Sequence, residues 1–182
     1  ALLNSQPMGF YAPAQIVRDA KEHGVEVRAV SINDSYWDNT MEPDGCGGLA
    51  LRLGFRQIKG LREEDAVWIT AARGNGYLSV EDVWRRAGTP PVVLTRLAEA
   101  DVFAPLRLSR RDALWQAKAI VADKPMPLFA GDMDGEGSNE PTSQLPAMSL
   151  GEEMVEDYVA LRLSLRAHPI ALLRPVLTPD ST

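Results

Sequence analysis

From residue 55 to residue 121 the chain is punctuated for short helices and for little else, and this limits the fold more than any other feature. Ser79-Val-Glu-Asp82 has the form of a helix-starting capping box, with Asp in the place of Glu. Gly88 stops that helix, and Pro90-Pro91 opens the next, with Val93, Leu94 and Leu97 as its inward face. Ser109-Arg-Arg-Asp112 starts another helix, which runs to about Val121. The compact apolar turn Ala100 to Leu108 separates these two helices. A run of this kind leaves no room for a sheet and points to helix, turn and helix, twice over.

The first of the two turns carries the chemistry. In Ile58-Lys-Gly-Leu-Arg62, Gly60 can take a positive φ and admit another backbone closely. The helix predicted over Leu61 to Arg73 has Glu63, Glu64 and Asp65 in its first turn, where negative charge suits the helix dipole. A helix start behind a glycine turn presents N–H groups that can hold a phosphate, and Lys59 and Arg62 flank it. The residues alone leave two readings open: a hairpin that grips a nucleic-acid backbone, or a simple glycine cap between helices. In the second turn Arg107, Arg110 and Arg111 repeat the basic helix start about 50 residues later.

Charge is distributed in favour of the first reading. The 182 residues carry a net charge of −6. Between Arg52 and Lys118, however, twelve Lys and Arg face eight Asp and Glu, so the basic charge gathers around the two turns.

Before residue 54 the pattern is mixed. Pro13 opens a helix that carries Ile16, Val17 and Ala20 and stops at Gly24. Val25 to Val30 alternates as a short strand. Asp38 to Glu42 and Leu49 to Leu53 pair as a hairpin across the turn-rich Pro43 to Gly48. Residues 123–147, rich in Pro, Gly, Ser and acids, read as a loose linker. Ser149-Leu-Gly-Glu152 starts a last helix, with Met154, Val155, Tyr158, Leu161 and Leu165 at helical spacing and His168-Pro169 at its end. The fold class expected is α+β, mainly α with a small β hairpin.

Other constellations are weaker. Apolar residues make up 45% of the chain, enough for a core, and no apolar run is long enough for a membrane helix. The single Cys46 excludes an internal disulfide and fits a cytoplasmic protein. The absence of an initiator Met suggests a piece of something longer. Asp132-Met-Asp134 lies in the linker, where nothing would hold two carboxylates around a metal ion. Two distant histidines and one cysteine make neither a triad nor a zinc site. Trp68, Trp84 and Trp115 fall within amphipathic helices and are expected as core anchors. Arg85 and Arg86 are expected on solvated surface.

Several stretches together resemble the bacterial C-family DNA polymerases, and within them the error-prone, damage-inducible branch of alpha-subunit-like enzymes. They are Leu2 to Tyr11, Gly54 to Arg62, Leu150-Gly-Glu-Glu153 and Leu161 to Ile170. The resemblance implies that residues 1–53 end the fingers region and that residues 54–121 form a tandem helix-hairpin-helix module on duplex DNA. Residues 122–148 would be a linker, and 149–182 a helix and tail leading to an OB-fold outside this chain. It implies a noncatalytic segment, without cofactor, of a parent nucleotidyltransferase that uses Mg²⁺. DNA contacts would come from Arg56, Lys59, Gly60, Leu61, Arg62, Arg107, Arg110 and Arg111. Arg62 stands where many such turns carry a second glycine, and the second turn has no glycine between Val102 and Leu108. Leu128 and Phe129 lie where replicative members dock the sliding clamp. The glutamine that opens that peptide is replaced by Pro125, so clamp binding is expected to be weak or indirect. Duplex DNA is the expected partner, and docking of polymerase accessory proteins is the alternative.

Overall fold

A computed structural model describes residues 2–6, 11–122, 145–167 and 170–172. The turn expected at Pro7 to Gly9, most of the linker with Leu128, Phe129 and Asp132 to Asp134, and His168-Pro169 lie outside the described residues. The fold is α+β and mainly helical. In chain order the elements are a 3-10 turn Leu2–Ser5, α1 (Pro13–Glu22), β1 (Val27–Arg28), β2 (Thr40–Pro43) and β3 (Leu49–Arg52). A 3-10 turn Phe55–Gln57 leads to α2 (Glu63–Ala72), α3 (Val80–Ala87) and α4 (Pro91–Glu99). A third 3-10 turn, Ala104–Leu106, precedes α5 (Arg110–Ala122), and α6 (Leu150–Leu161) closes the order.

The three strands run in the order β1-β3-β2. β2 pairs antiparallel with β3, Thr40 opposite Arg52 and Met41 opposite Leu51, as the hairpin pattern predicts. β1 is shorter than its alternation suggests and joins the other edge of β3 in parallel. Glu42 is held there between Arg28 (2.6 Å) and Arg52 (2.7 Å). Burial pushes the Glu42 carboxyl up, but the two guanidinium hydrogen bonds outweigh it and hold the pKa below the usual carboxylate range.

Helix punctuation follows the sequence closely. Ser79 Oγ accepts from the Asp82 N–H (3.0 Å), and Gly88 caps the end of α3 at φ 61°. Ser149 and Glu152 complete a reciprocal capping box at the start of α6. Val93, Leu94 and Leu97 form the buried face of α4. One hydrophobic cluster runs from Leu3, Val17 and Ile32 through Phe55, Ile69, Leu94 and Phe103 to Leu161 and Leu163. Asn33 ties the first part of the chain to the helices by bonding both the N–H and the C=O of Tyr77.

Two expectations need correction. α6 ends at Leu161, where Arg162 turns left-handed (φ 60°), so Leu165 is not on the helix. The tryptophans are not core anchors: Trp68 is 67% exposed, Trp115 58% and Trp84 38%. In α2 the inward positions are taken by Ala66 and Ile69, which leaves the neighbouring Val67 and Trp68 outside. The helical period is right, but its phase is set by packing partners on other elements.

Candidate nucleic-acid interface

The first hairpin is built on buried apolar residues and closed by local bonds. Phe55, Ile58 and Leu61 point into the core. The Ile58 N–H donates to Phe55 O (2.9 Å) and the Leu61 N–H to Ile58 O (3.3 Å), which wraps the chain around Gly60 at φ 78°. That φ is the reason for glycine here. Arg62 is extended and serves as N-cap of α2, yet its side chain caps nothing. The backbone N–H groups of Gly60, Arg62, Glu63 and Glu64 therefore donate to no described residue. They lie at the positive end of the α2 dipole.

Lys59 and Arg62 stand exposed beside these donors. The Arg62 side chain is 69% exposed and loosely paired with Asp65 at 3.3 Å. Two exposed acids, Glu63 and Glu64, share the helix start. The Asp65 side chain is itself only 10% exposed. A cleft of about 280 Å³ opens behind the hairpin, lined by Lys59, Gly60, Arg96, Glu99 and Val159 among others.

Arg96 is a residue that the sequence reading passed over. Its guanidinium donates to the Gly60 carbonyl at 2.6 Å. Its place in the last turn of α4, beside the buried Val93 and Leu97, gave the only hint.

The remaining predicted residues are differently placed. Arg56 pairs with Asp38 (2.5 Å) and keeps only 19% of its side chain exposed. Arg110 is fully buried, bound to the Asp157 carboxylate and to the Glu153 backbone carbonyl (2.9 Å) on α6. It cannot reach an outside ligand, which corrects its assignment as a DNA contact. Arg111 bonds Pro146 O (2.7 Å) and approaches Glu152 (3.3 Å), so it too faces the chain before α6. Arg107 alone of the second set is exposed, in a left-handed conformation at φ 60°.

The second hairpin also differs from the first at its pivot. Asp101 takes the positive-φ position (56°) that Gly60 holds in the first, and Val102 is buried as Leu61 is. The Asp101 carboxylate binds Arg166, and burial raises its pKa although Arg110 and Arg166 oppose this. Arg166 also reaches Glu153 (3.2 Å) and Asp157 (3.3 Å). The second hairpin is thus turned onto α6 by a closed ionic network. α6 touches the first hairpin as well, because the Lys59 N–H donates to Ala160 O at 2.9 Å.

Arg85 pairs with Glu81 on the surface (2.7 Å). Arg86 instead caps α2 through the Ala72 and Arg73 carbonyls (2.7 and 2.6 Å) and lies over the Tyr77 ring. Among the described residues no group of three or more His, Cys, Asp or Glu is placed to hold a metal ion. No described helix is long and apolar enough to cross a membrane.

Comparison with known proteins agrees with this geometry. Residues 24–113 match the family described as helix-hairpin-helix motif. An error-prone DNA polymerase of Ruegeria pomeroyi is 64% identical over 97% of this chain, which spans 16% of that relative's length. Error-prone DNA polymerase 2 of Rhizobium meliloti is 54% identical over 96% of the chain and 17% of its own length. An error-prone DNA polymerase of Brucella abortus is 47% identical over 99% of the chain and 17% of its own length. The chain spans about a sixth of the length of these relatives, and by sequence it belongs to the error-prone DNA polymerase family.

Proposed function

We propose that this chain is the part of an error-prone DNA polymerase that holds duplex DNA by its phosphate backbone, without reading sequence and without itself making the phosphodiester bond. The observation that carries this is the cluster of undonated N–H groups at Gly60, Arg62, Glu63 and Glu64, flanked by exposed Lys59 and Arg62. Backbone donors at a helix start, aided by basic side chains, suit a phosphate oxygen and carry no base information. Arg107 is a candidate contact on the neighbouring turn. Polymerase chemistry, with the Mg²⁺ that it uses, belongs in this reading to the rest of the parent protein, where DNA repair is its setting.

The test is a salt titration of short-duplex binding by fluorescence anisotropy. Each phosphate contact contributes about −0.9 to the slope of log affinity against log salt. A Lys59→Ala/Arg62→Ala double variant should flatten that slope by about 1.8 on the same basis. Salt-insensitive binding, or a double variant that binds as wild type does, would sink the reading.

The exposed tryptophans favour a second one. Trp68 and Trp115 would be anchors for polymerase accessory proteins. No DNA binding at low salt, together with a captured accessory protein that DNA does not displace, would select it.

A further inference from the structure

We infer that Arg96 is a positioning residue for the phosphate-binding hairpin, a strut thrown from the helix that enters the second hairpin onto the pivot of the first. The inference rests on the DNA-binding reading above and adds to it. The Gly60 carbonyl and the Leu61 N–H belong to one planar peptide unit and point in opposite directions. Arg96 holds the carbonyl end at 2.6 Å, and Ile58 O holds the N–H end at 3.3 Å. One residue earlier, the Lys59 N–H is fixed on Ala160 O at 2.9 Å. Between these fixed points lies the N–H of Gly60, one of the outward donors, at the residue with the widest backbone freedom in the hairpin.

Without Arg96 the Gly60 carbonyl has no other described donor, and the 60–61 peptide is left with one long bond, from the Leu61 N–H to Ile58 O at 3.3 Å. Arg96 is also packed against this site. A β carbon on Gly60 would stand 3.4 Å from its Cζ and Nε. Nη1 of the guanidinium is thus engaged with the hairpin backbone. Its contribution to binding is to preorganise donors rather than to meet phosphate itself. Glu99 lines the same cleft.

The experiment compares wild type, Arg96→Ala and Arg96→Lys in the same salt titration, with amide hydrogen exchange across residues 58–65. Arg96→Ala is expected to weaken duplex binding roughly tenfold, the scale of one charge-assisted hydrogen bond, while the salt slope stays at the wild-type value. Exchange at the two bonded amides beside Gly60, those of Lys59 and Leu61, should quicken while the Tm of the rest of the fold is kept. Arg96→Lys, which can still donate one bond to the carbonyl, should recover most of the affinity. A slope lower by about 0.9 would make Arg96 a phosphate contact and overturn the strut. So would unchanged affinity in a chain that binds DNA. If wild type shows no salt-dependent binding, the DNA reading falls, and hydrogen exchange alone decides. Faster exchange in Arg96→Ala then supports the strut, and unchanged exchange overturns it.

Discussion

Replacing Arg110 gives the sharpest separation between a DNA-gripping arginine and a structural one. Its side chain is wholly buried and is bound to Asp157, 7% exposed, and to Glu153, 15% exposed. Arg110→Met removes the guanidinium and leaves both carboxylates to Arg166, which sits 3.2 to 3.3 Å away and is itself 35% exposed. It also strips the Glu153 carbonyl of its donor. Breaking a buried pair by removing one partner costs about 3–5 kcal/mol. Since Arg166 compensates in part, about 3 kcal/mol is expected. For a chain of this size each kcal/mol moves Tm by about 2–4 °C, so melting followed by circular dichroism should fall by about 6–12 °C. Below that transition the salt slope of duplex binding should not change. An Arg110→Met/Asp157→Leu double variant should be more stable than the sum of its singles by over about 1 kcal/mol. Stability within about 0.5 kcal/mol of wild type, with a salt slope reduced by about 0.9, would refute the structural role and restore the phosphate contact.

Three further outcomes are expected. Gly54→Ala should destabilise the fold by more than about 3 kcal/mol in urea unfolding, because its β carbon would overlap the backbone at Trp37 and Asp38. Trp68→Ala should cost less than about 1 kcal/mol in the same assay, where a core tryptophan would cost about 3–5. Glu42, whose folded pKa is depressed, contributes stability that is fully present above its unfolded pKa and is lost as pH falls through the folded value. Urea midpoints measured from neutral to acid pH should therefore fall less steeply in Glu42→Gln than in wild type, and parallel curves would contradict the assignment.

What the sequence made legible was local. Ser79, Gly88, Pro91 and Ser149 mark helix ends by chemistry confined to three or four residues, and each does so in the structure. The first hairpin was legible for the same reason, since Gly60 and its two basic neighbours act within one turn. The fate of the other arginines was not local. Arg110 is buried by a carboxylate 47 residues away, and Arg56 is claimed by one 18 residues away. A basic residue at a helix start looks the same whether its counter-charge is a phosphate or an aspartate on a later helix. The tryptophans misled similarly. Period showed that one face of α2 is buried, but Ala66 and Ile69 hold that face only because of what packs against them.

The recurring motif spans residues 24–113, whereas the groups that neutralise and hold it extend to α6. Motif and folding unit therefore have different limits. Excised at its own boundaries and grafted elsewhere, the motif would lose α5 after Ala113 as well as α6, and would carry a Lys59 amide without its acceptor. Such a graft should be unfolded unless it is extended through α6. The portable segment of this chain is thus longer than its signature, and the rest of α5 with all of α6 is what a cut made by motif alone would discard.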